Sequence, residues 1–472
     1  MSLLGTLLTG GSGLQANQKW AEVTGRNIAN ANTPGYHRQE VQFGSWPTAL
    51  GGGTYVSSVS RSLDSSLVRM HRFEASKFYQ QDAVAKGLQE YTALLGQPDD
   101  ARSPAARLSE FKEALLRLEN NPASAAIQRG VVSAADALAY SLRETSAALE
   151  AARQENELAI GQEIDRINRD LLRLAELNAD IQTAGRMNAD SLELLDERDR
   201  ILDRLSQSMN IRTAEYDDGR VILYTGGGTK LVEGATTFPL RYDSGTGRIR
   251  AGDVDITPGP TNPRAFDHGR LAGLLQLKNE VLPQFGLQLD ELARSLIVAF
   301  ETADDSLGPG QAGLFTDSGQ AYSAADLKGL AGRIAVNDAV KPEKGGQLWR
   351  VREGVAATLQ QGASRLDQVQ RFTAVFGEVM AFDGGTGFND LTLEDFATHI
   401  VSFQGVTRAD AERGAASTAV AVETLQNARV SMSGVSIDDE LQKMMLIEQS
   451  YAANAQLIRT AASMLDELMS IV

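Results

Sequence analysis

Apolar residues in the C-terminal stretch recur at alternating steps of three and four. Leu441, Met444, Tyr451, Ala455, Ile458, Ala462, Leu465, Met469 and Val472 hold the pattern, with one polar member, Glu448. At the other end Leu7, Leu14, Ala21 and Ile28 recur every seven residues. Both are narrow seams of the coiled-coil kind, and each is too short to hold a helix in water alone. The two termini are therefore expected to pack on each other; the competing expectation is an amphipathic helix in an ordinary core. The N-terminal helix is expected from Leu14 to about Asn32, after a Gly10-Gly11-Ser12-Gly13 stretch that interrupts the apolar residues following Leu8. Pro34 biases Thr33 out of the helical region, Pro34-Gly35 makes a turn, and Tyr36 can plug it. Asn27 and Asn30 lie one turn apart, so their amides are expected to meet each other or a neighbouring helix.

The interior is dominated by long helical periods. Residues 40–60, with Trp46-Pro47 and Gly51-Gly52-Gly53, predict a linker or irregular hairpin. Helices are predicted from Ser62 to Leu95, from Ser103-Pro104 to Glu119, and from Ala123 to Thr183, with Gly185 as cap. The last would span about 90 Å. Its seam Leu138, Leu142, Thr145, Leu149, Ala152, Asn156 does not run in register into the next, Ile160, Ile164, Ile167, Leu171, Leu174, Asn178, Ile181. A stutter is expected between 156 and 160. One more helix covers Leu192 to Met209. Strand-like runs at 221–224, 230–232, 238–242 and 248–250, parted by glycine turns, predict a small β-domain. Helices then resume at 271–302, 355–380 and 393–430.

The fold class expected is mainly α with an inserted small β-domain (α+β), in nested discontinuous domains. Residues 1–45 with 431–472 form a terminal coiled coil, 46–210 with 264–430 a long-helix bundle, and 211–263 the inserted β-domain. No internal repeat is evident.

Charge and composition narrow the function. The net charge of −16, from 45 basic and 61 acidic residues, argues against nucleic acid and anionic membrane surfaces. Cysteine is absent, which removes disulfides, thiolate nucleophiles and cysteine metal sites. Met1 to Gly5 lacks a basic segment, so no cleaved secretory leader is expected. No run approaches the roughly 20 apolar residues of a membrane helix. Gly308-Pro309-Gly310-Gln311-Ala312-Gly313 matches GxGxxG but lacks the strand before and helix after that bind a dinucleotide. Asp304-Asp305 begins no ladder of cation ligands. His37, His71, His268 and His399 contain no helical zinc pair, and no serine sits in a nucleophile elbow. Catalytic, cofactor and metal residues are accordingly expected to be none.

Asn27-Ile28-Ala29-Asn30-Ala31-Asn32-Thr33-Pro34-Gly35-Tyr36, with Arg38-Gln39, resembles the N-terminal signature of the bacterial flagellar axial proteins of rod and hook. Ser433 to Glu440, with Gln449-Ser450-Tyr451-Ala452-Ala453-Asn454-Ala455, is similar to their C-terminal signature. Leu194-Leu195-Asp196-Glu197-Arg198-Asp199, with Leu205-Ser206, resembles the hook-associated members. The resemblance implies a structural subunit joining hook to flagellin filament, exported through the type III channel of the flagellum without a cleaved leader. It implies no enzyme activity. It implies self-assembly, the hook protein and a second hook-associated junction protein as neighbours, and a cytoplasmic export chaperone at the C-terminal region. The assembly interface then comprises Leu7, Leu14, Ala21, Asn27, Ile28, Asn30, Asn32, Pro34, Gly35, Tyr36, Leu441, Met444, Tyr451, Ala455, Ile458, Ala462, Leu465 and Met469. The alternatives are a hook or distal rod protein, and a secreted coiled-coil enzyme or binding protein.

Overall fold

The computed structural model describes residues 3–46, 52–187, 191–362 and 365–471. Helix α1 (Leu3–Asn30) is followed by a hairpin, β1 (Gln39–Trp46) and β2 (Gly53–Arg61), and by α2 (Ser65–Leu95). Asp64 caps α2 by accepting from the amides of Ser66 and Leu67. Then come α3 (Pro104–Asn120), the 62-residue α4 (Ala125–Arg186) and α5 (Leu192–Ser208). The expected cap Gly185 still lies inside α4.

The strands follow as β3 (Ile211–Glu215), β4 (Val221–Thr225), β5 (Lys230–Glu233) and β6 (Thr236–Thr237) in one antiparallel sheet. A second holds β7 (Leu240–Asp243), β8 (Arg248–Ala251) and β9 (Val254–Asp255). Helix α6 (Arg270–Gln276) runs through a π turn, Leu277–Val281, into α7 (Leu282–Thr302). The paired β10 (Phe315–Asp317) and β11 (Ile334–Val336), the short α8 (Arg350–Glu353) and α9 (Asp367–Ala374) lead to α10 (Leu393–Ser433) and α11 (Ile437–Ile471).

Two expectations fail here. Residues 355–380 are not one long helix: Gly354 at φ 106° turns the chain, and only α9 and a 3-10 turn form before Met380. The Gly10–Gly13 stretch is helical, for a reason given below.

Two apolar cores divide the body. One gathers α2 beyond Val84, α3, α4 up to Leu149, α7 and the segments from Leu314 to Ala411. Phe111, Phe300, Phe315, Phe372 and Phe376 lie at its centre. The other gathers α4 from Ile160, α5, both sheets and α6. Asn178 pins β4 to α4, donating to Val221 O at 2.9 Å and accepting from Val221 N at 3.0 Å. Asn168 does the same for β7 at Leu240. The strands thus complete a core whose other half is helical.

Candidate assembly site

Helices α1 and α11 lie along each other. The buried stripe of α1 is Gly5, Gly10, Ala16, Asn17, Val23, Thr24 and Asn27. Opposite it, Glu440, Ile447 and Ala461 are at most 3 % exposed. This contact explains the helical glycines. A Cβ on Gly10 would stand 2.8 Å from Ile458 Cγ1, and one on Gly13 2.7 Å from Asn454 Nδ2. The helices approach so closely because the side chains are missing, and the packing outweighs the cost of glycine in a helix. Asn17 Nδ2 donates to Ser450 Oγ at 2.9 Å across the same face.

The seam therefore sits one position away from the one read off the sequence. Leu7, Leu14, Ala21 and Ile28 are half-buried beside it, as are Met444, Ala455 and Ile458. Leu441, Tyr451, Ala462, Leu465 and Met469 remain exposed, Met469 by 77 %. Glu448 is exposed too, and Val472 lies outside the described residues. Helix α11 thus carries two stripes, a mixed one of Glu440, Ile447, Asn454 and Ala461 covered by α1 and an apolar one left open.

Asn27 is the hub of the turn. Its Nδ2 donates to Gln39 O at 2.9 Å and to Glu440 Oε2 at 3.1 Å. Its Oδ1 accepts from Tyr36 OH and Gln39 N, both at 2.9 Å. Burial pushes the Tyr36 hydroxyl up to about 12, so it stays a donor. Asn30 does not meet Asn27: it donates to Arg26 O and accepts from Thr33 Oγ1. Asn32 and Pro34 are exposed; Gly35, at φ 76°, lies against the Arg200 side chain, where a Cβ would come within 2.7 Å. The hairpin follows α1, with Trp20 edge-on to Phe43 and Thr54 N donating to Ser12 Oγ.

Below the turn the chain enters a buried ionic joint. His37 Nδ1 and Arg61 NH1 each lie 2.8 Å from Asp196 Oδ1. The same Arg61 nitrogen reaches Asp199 Oδ2 at 2.8 Å. Arg198 also contacts Asp199, and Arg72 pairs with Asp203, which in turn binds Arg429. Burial alone would raise the Asp199 carboxyl; Arg198, Arg61 and Arg72 more than offset this and hold it below the usual range. Backbone bonds complete the joint: Arg38 N donates to Ser433 O at 2.9 Å and Ser62 N to Arg38 O at 2.8 Å. The joint ties the terminal helix pair to α2, α5 and α10.

Other candidates have mundane roles. Asp304 accepts from Val355 N and Ser306, Asp305 pairs with Arg371, and the GxGxxG run is an irregular loop before β10. Among the described residues no group of three metal-ligating side chains is assembled, and no helix is long and apolar enough to cross a membrane.

Comparison with known proteins accounts for both ends and the middle. Residues 7–37 match the flagella basal body rod protein family and 426–471 the flagellar basal body rod FlgEFG protein C-terminal family. Residues 88–308, which include the Leu194–Asp199 motif, match the flagellar hook-associated protein FlgK helical domain. Flagellar hook-associated protein 1 of Bacillus subtilis is 23 % identical over 97 % of this chain and 96 % of its own length. The chain belongs to the flagellar hook-associated protein 1 family. Flagellar hook-associated protein 1 of Escherichia coli is likewise 23 % identical, over 98 % of both chains. The flagellar hook protein FlgE of Rhizobium meliloti is 46 % identical, but over only 12 % of this chain and 14 % of that protein. The solved hook junction protein FlgK from Burkholderia pseudomallei is 22 % identical, with TM-score 0.44 over 52 % of this chain and 46 % of that one. Members of this hook-associated family are structural components of the flagellum, and this chain is one of its axial subunits.

Proposed function

We propose that this chain joins the flagellar hook to the flagellin filament by coiled-coil assembly of its terminal helices. The open stripe of α11, Leu441, Tyr451, Leu465 and Met469, carries the reading, because an open apolar face on an already paired helix calls for a neighbour. Each such side chain contributes about 1.5–3 kcal/mol when covered. In this reading 1–45 with 431–472 is the assembly part, 46–210 with 264–430 the outer wall, and 211–263 its β-sheet facing. Copies of the same chain, the hook protein and a second hook-associated junction protein are the neighbours. The exposed α11 face is also where a cytoplasmic chaperone shields the chain before export to the cell exterior. The subunit acts by packing and performs no catalysis. The hook-associated match of the interior favours the junction over the hook or rod.

Leu465→Asp tests this. An unpaired carboxylate in an assembled seam costs several kcal/mol per copy. Swarming on soft agar should be lost and unpolymerised flagellin should appear in the medium, while the isolated variant melts like wild type. Normal swarming of the variant would overturn the reading.

A further inference from the structure

Six features fall at one level of the long bundle. The two apolar cores part there, between Ala83 and Val84 on α2, between Leu149 and Ile160 on α4, and between Leu275 and Leu277 on the α6–α7 rod. The seam of α4 skips register between Asn156 and Ile160, and the facing rod carries its π turn at Leu277–Val281. A π turn inserts one residue into a helix and weakens its hydrogen-bond ladder. Asn156 is buried between the cores; its Nδ2 donates to Leu274 O at 3.0 Å, and its Oδ1 has no partner among the described residues. Two open clefts, of about 1020 and 630 Å³, flank this level, and Asn156 lines both. Glycines supply the bearing surface: a Cβ on Gly87 would stand 2.4 Å from Leu277 Cδ1, and one on Gly273 2.4 Å from Gln80 O.

We infer that this waist is a hinge, about which the two cores of the body change their mutual angle. Sharp bends in helices occur where the ladder is broken, and the π turn supplies such a break in the α6–α7 rod, while α4, α2 and α10 pass the waist as unbroken helices that flex with it. The space needed for the movement exists in the two clefts. A latch sets the resting angle. Lys278, in the π turn, donates to Glu157 Oε2 at 2.6 Å, to Tyr242 OH at 2.5 Å and to Ser244 O at 2.8 Å. It thereby ties the π turn to α4 and to β7. The inference does not depend on the junction reading; the two tests fail separately.

Absence of cysteine makes the test direct, since introduced cysteines carry spin labels without background. Ala235→Cys with Ala325→Cys places labels on exposed turns of the two different cores, and Glu113→Cys with Ala325→Cys places both on one. Pulsed electron–electron distance measurements on the full-length monomer should give a distribution about twice as wide for the first pair as for the second. Equal widths would overturn the hinge. Lys278→Met should widen the first distribution and leave the second unchanged. An unchanged first distribution in that variant would remove the latch, and if the variant does not fold, the wild-type widths alone decide.

Discussion

His37 Nδ1 lies 2.8 Å from Asp196 Oδ1, with both side chains almost wholly out of solvent and 159 residues of chain between them. This pair fastens the first ordered residues after the α1 turn to α5. Arg61 shares the same carboxylate from β2, so two segments of the terminal arm are held by one aspartate. The direction in which the terminal helices leave the body is set here.

The joint should be expensive to break. Asp199→Ala takes from buried Arg61 one of its two carboxylates and from Arg198 its buried partner, and should cost about 3 kcal/mol in urea unfolding. Glu197→Ala, two residues away, removes only an exposed pair with Arg173 and should cost at most about 1 kcal/mol. Equal shifts in the two midpoints would show that the joint is ordinary surface charge.

Neighbouring glycines of α1 should respond with opposite signs. Gly11 faces open space, so Gly11→Ala should stabilise the helix by about 0.5–1 kcal/mol. Gly10→Val drives its branches into Ile458 and should pry the pair apart. Hydrogen exchange read by mass spectrometry should slow in α1 for the first and quicken in both α1 and α11 for the second. No change in α11 for Gly10→Val would mean that the crossing has slack.

Acid should loosen the joint in two stages. Burial, then the Arg429 guanidinium donating to Nδ1 at 2.9 Å, holds His71 below its ordinary 6.5. Arg72 adds to this and Asp203 opposes it. A depressed folded value means that the contribution is full above 6.5 and fades as pH falls through the folded value. The depressed Asp199 adds a second loss below 3.8. Stability measured by urea should therefore drop between pH 7.5 and 5.5, and His71→Gln should flatten that drop. An unchanged slope in the variant would exclude His71.

The two stripes of α11 should separate genetically. Ile447→Asp buries a charge against α1 within one subunit and should quicken proteolysis of the isolated chain at both ends. Met469→Asp changes an open position and should leave the isolated chain alone while impairing swarming. Identical behaviour of the two in the isolated chain would merge the stripes into one.

Large apolar side chains were the legible part of this sequence. Leu138 to Ile181 announced α4 and the register skip after Asn156, since both seams are mostly buried aliphatic residues at helical spacing. The α1–α11 contact was legible only in outline. Its inner stripe is built from Gly10, Gly13, Asn17, Glu440, Asn454 and Ala461, small or polar residues that an apolar period passes over. The same heptad spacing of 440, 447, 454 and 461 was present, but two of its four members are polar. Asp196, Arg198 and Asp199 looked like a solvated face of α5 and were singled out by resemblance alone. Their burial depends on arginines and a histidine from three other elements, and no local pattern encodes that. The helix expected at 355–380 shrinks to α9 and a 3-10 turn, because the chain leaves the turn at Gly354 as irregular backbone through residue 362.

The hydrogen bond from Arg38 N to Ser433 O has a consequence for the order in which the chain acquires its shape. Asn27 and Glu440 are 413 residues apart, and closing a free loop of that length costs about 5 kcal/mol in chain entropy. Once the body has brought 38 beside 433, the remaining loop is some twenty residues, and the cost falls to about 2.5–3 kcal/mol. The ends are thus zipped from the joint outward after the middle has set. If the chain leaves the cell by the export route proposed above, α1 stays single until α11 has emerged as well. Completion of the pair then reports that the whole chain has arrived.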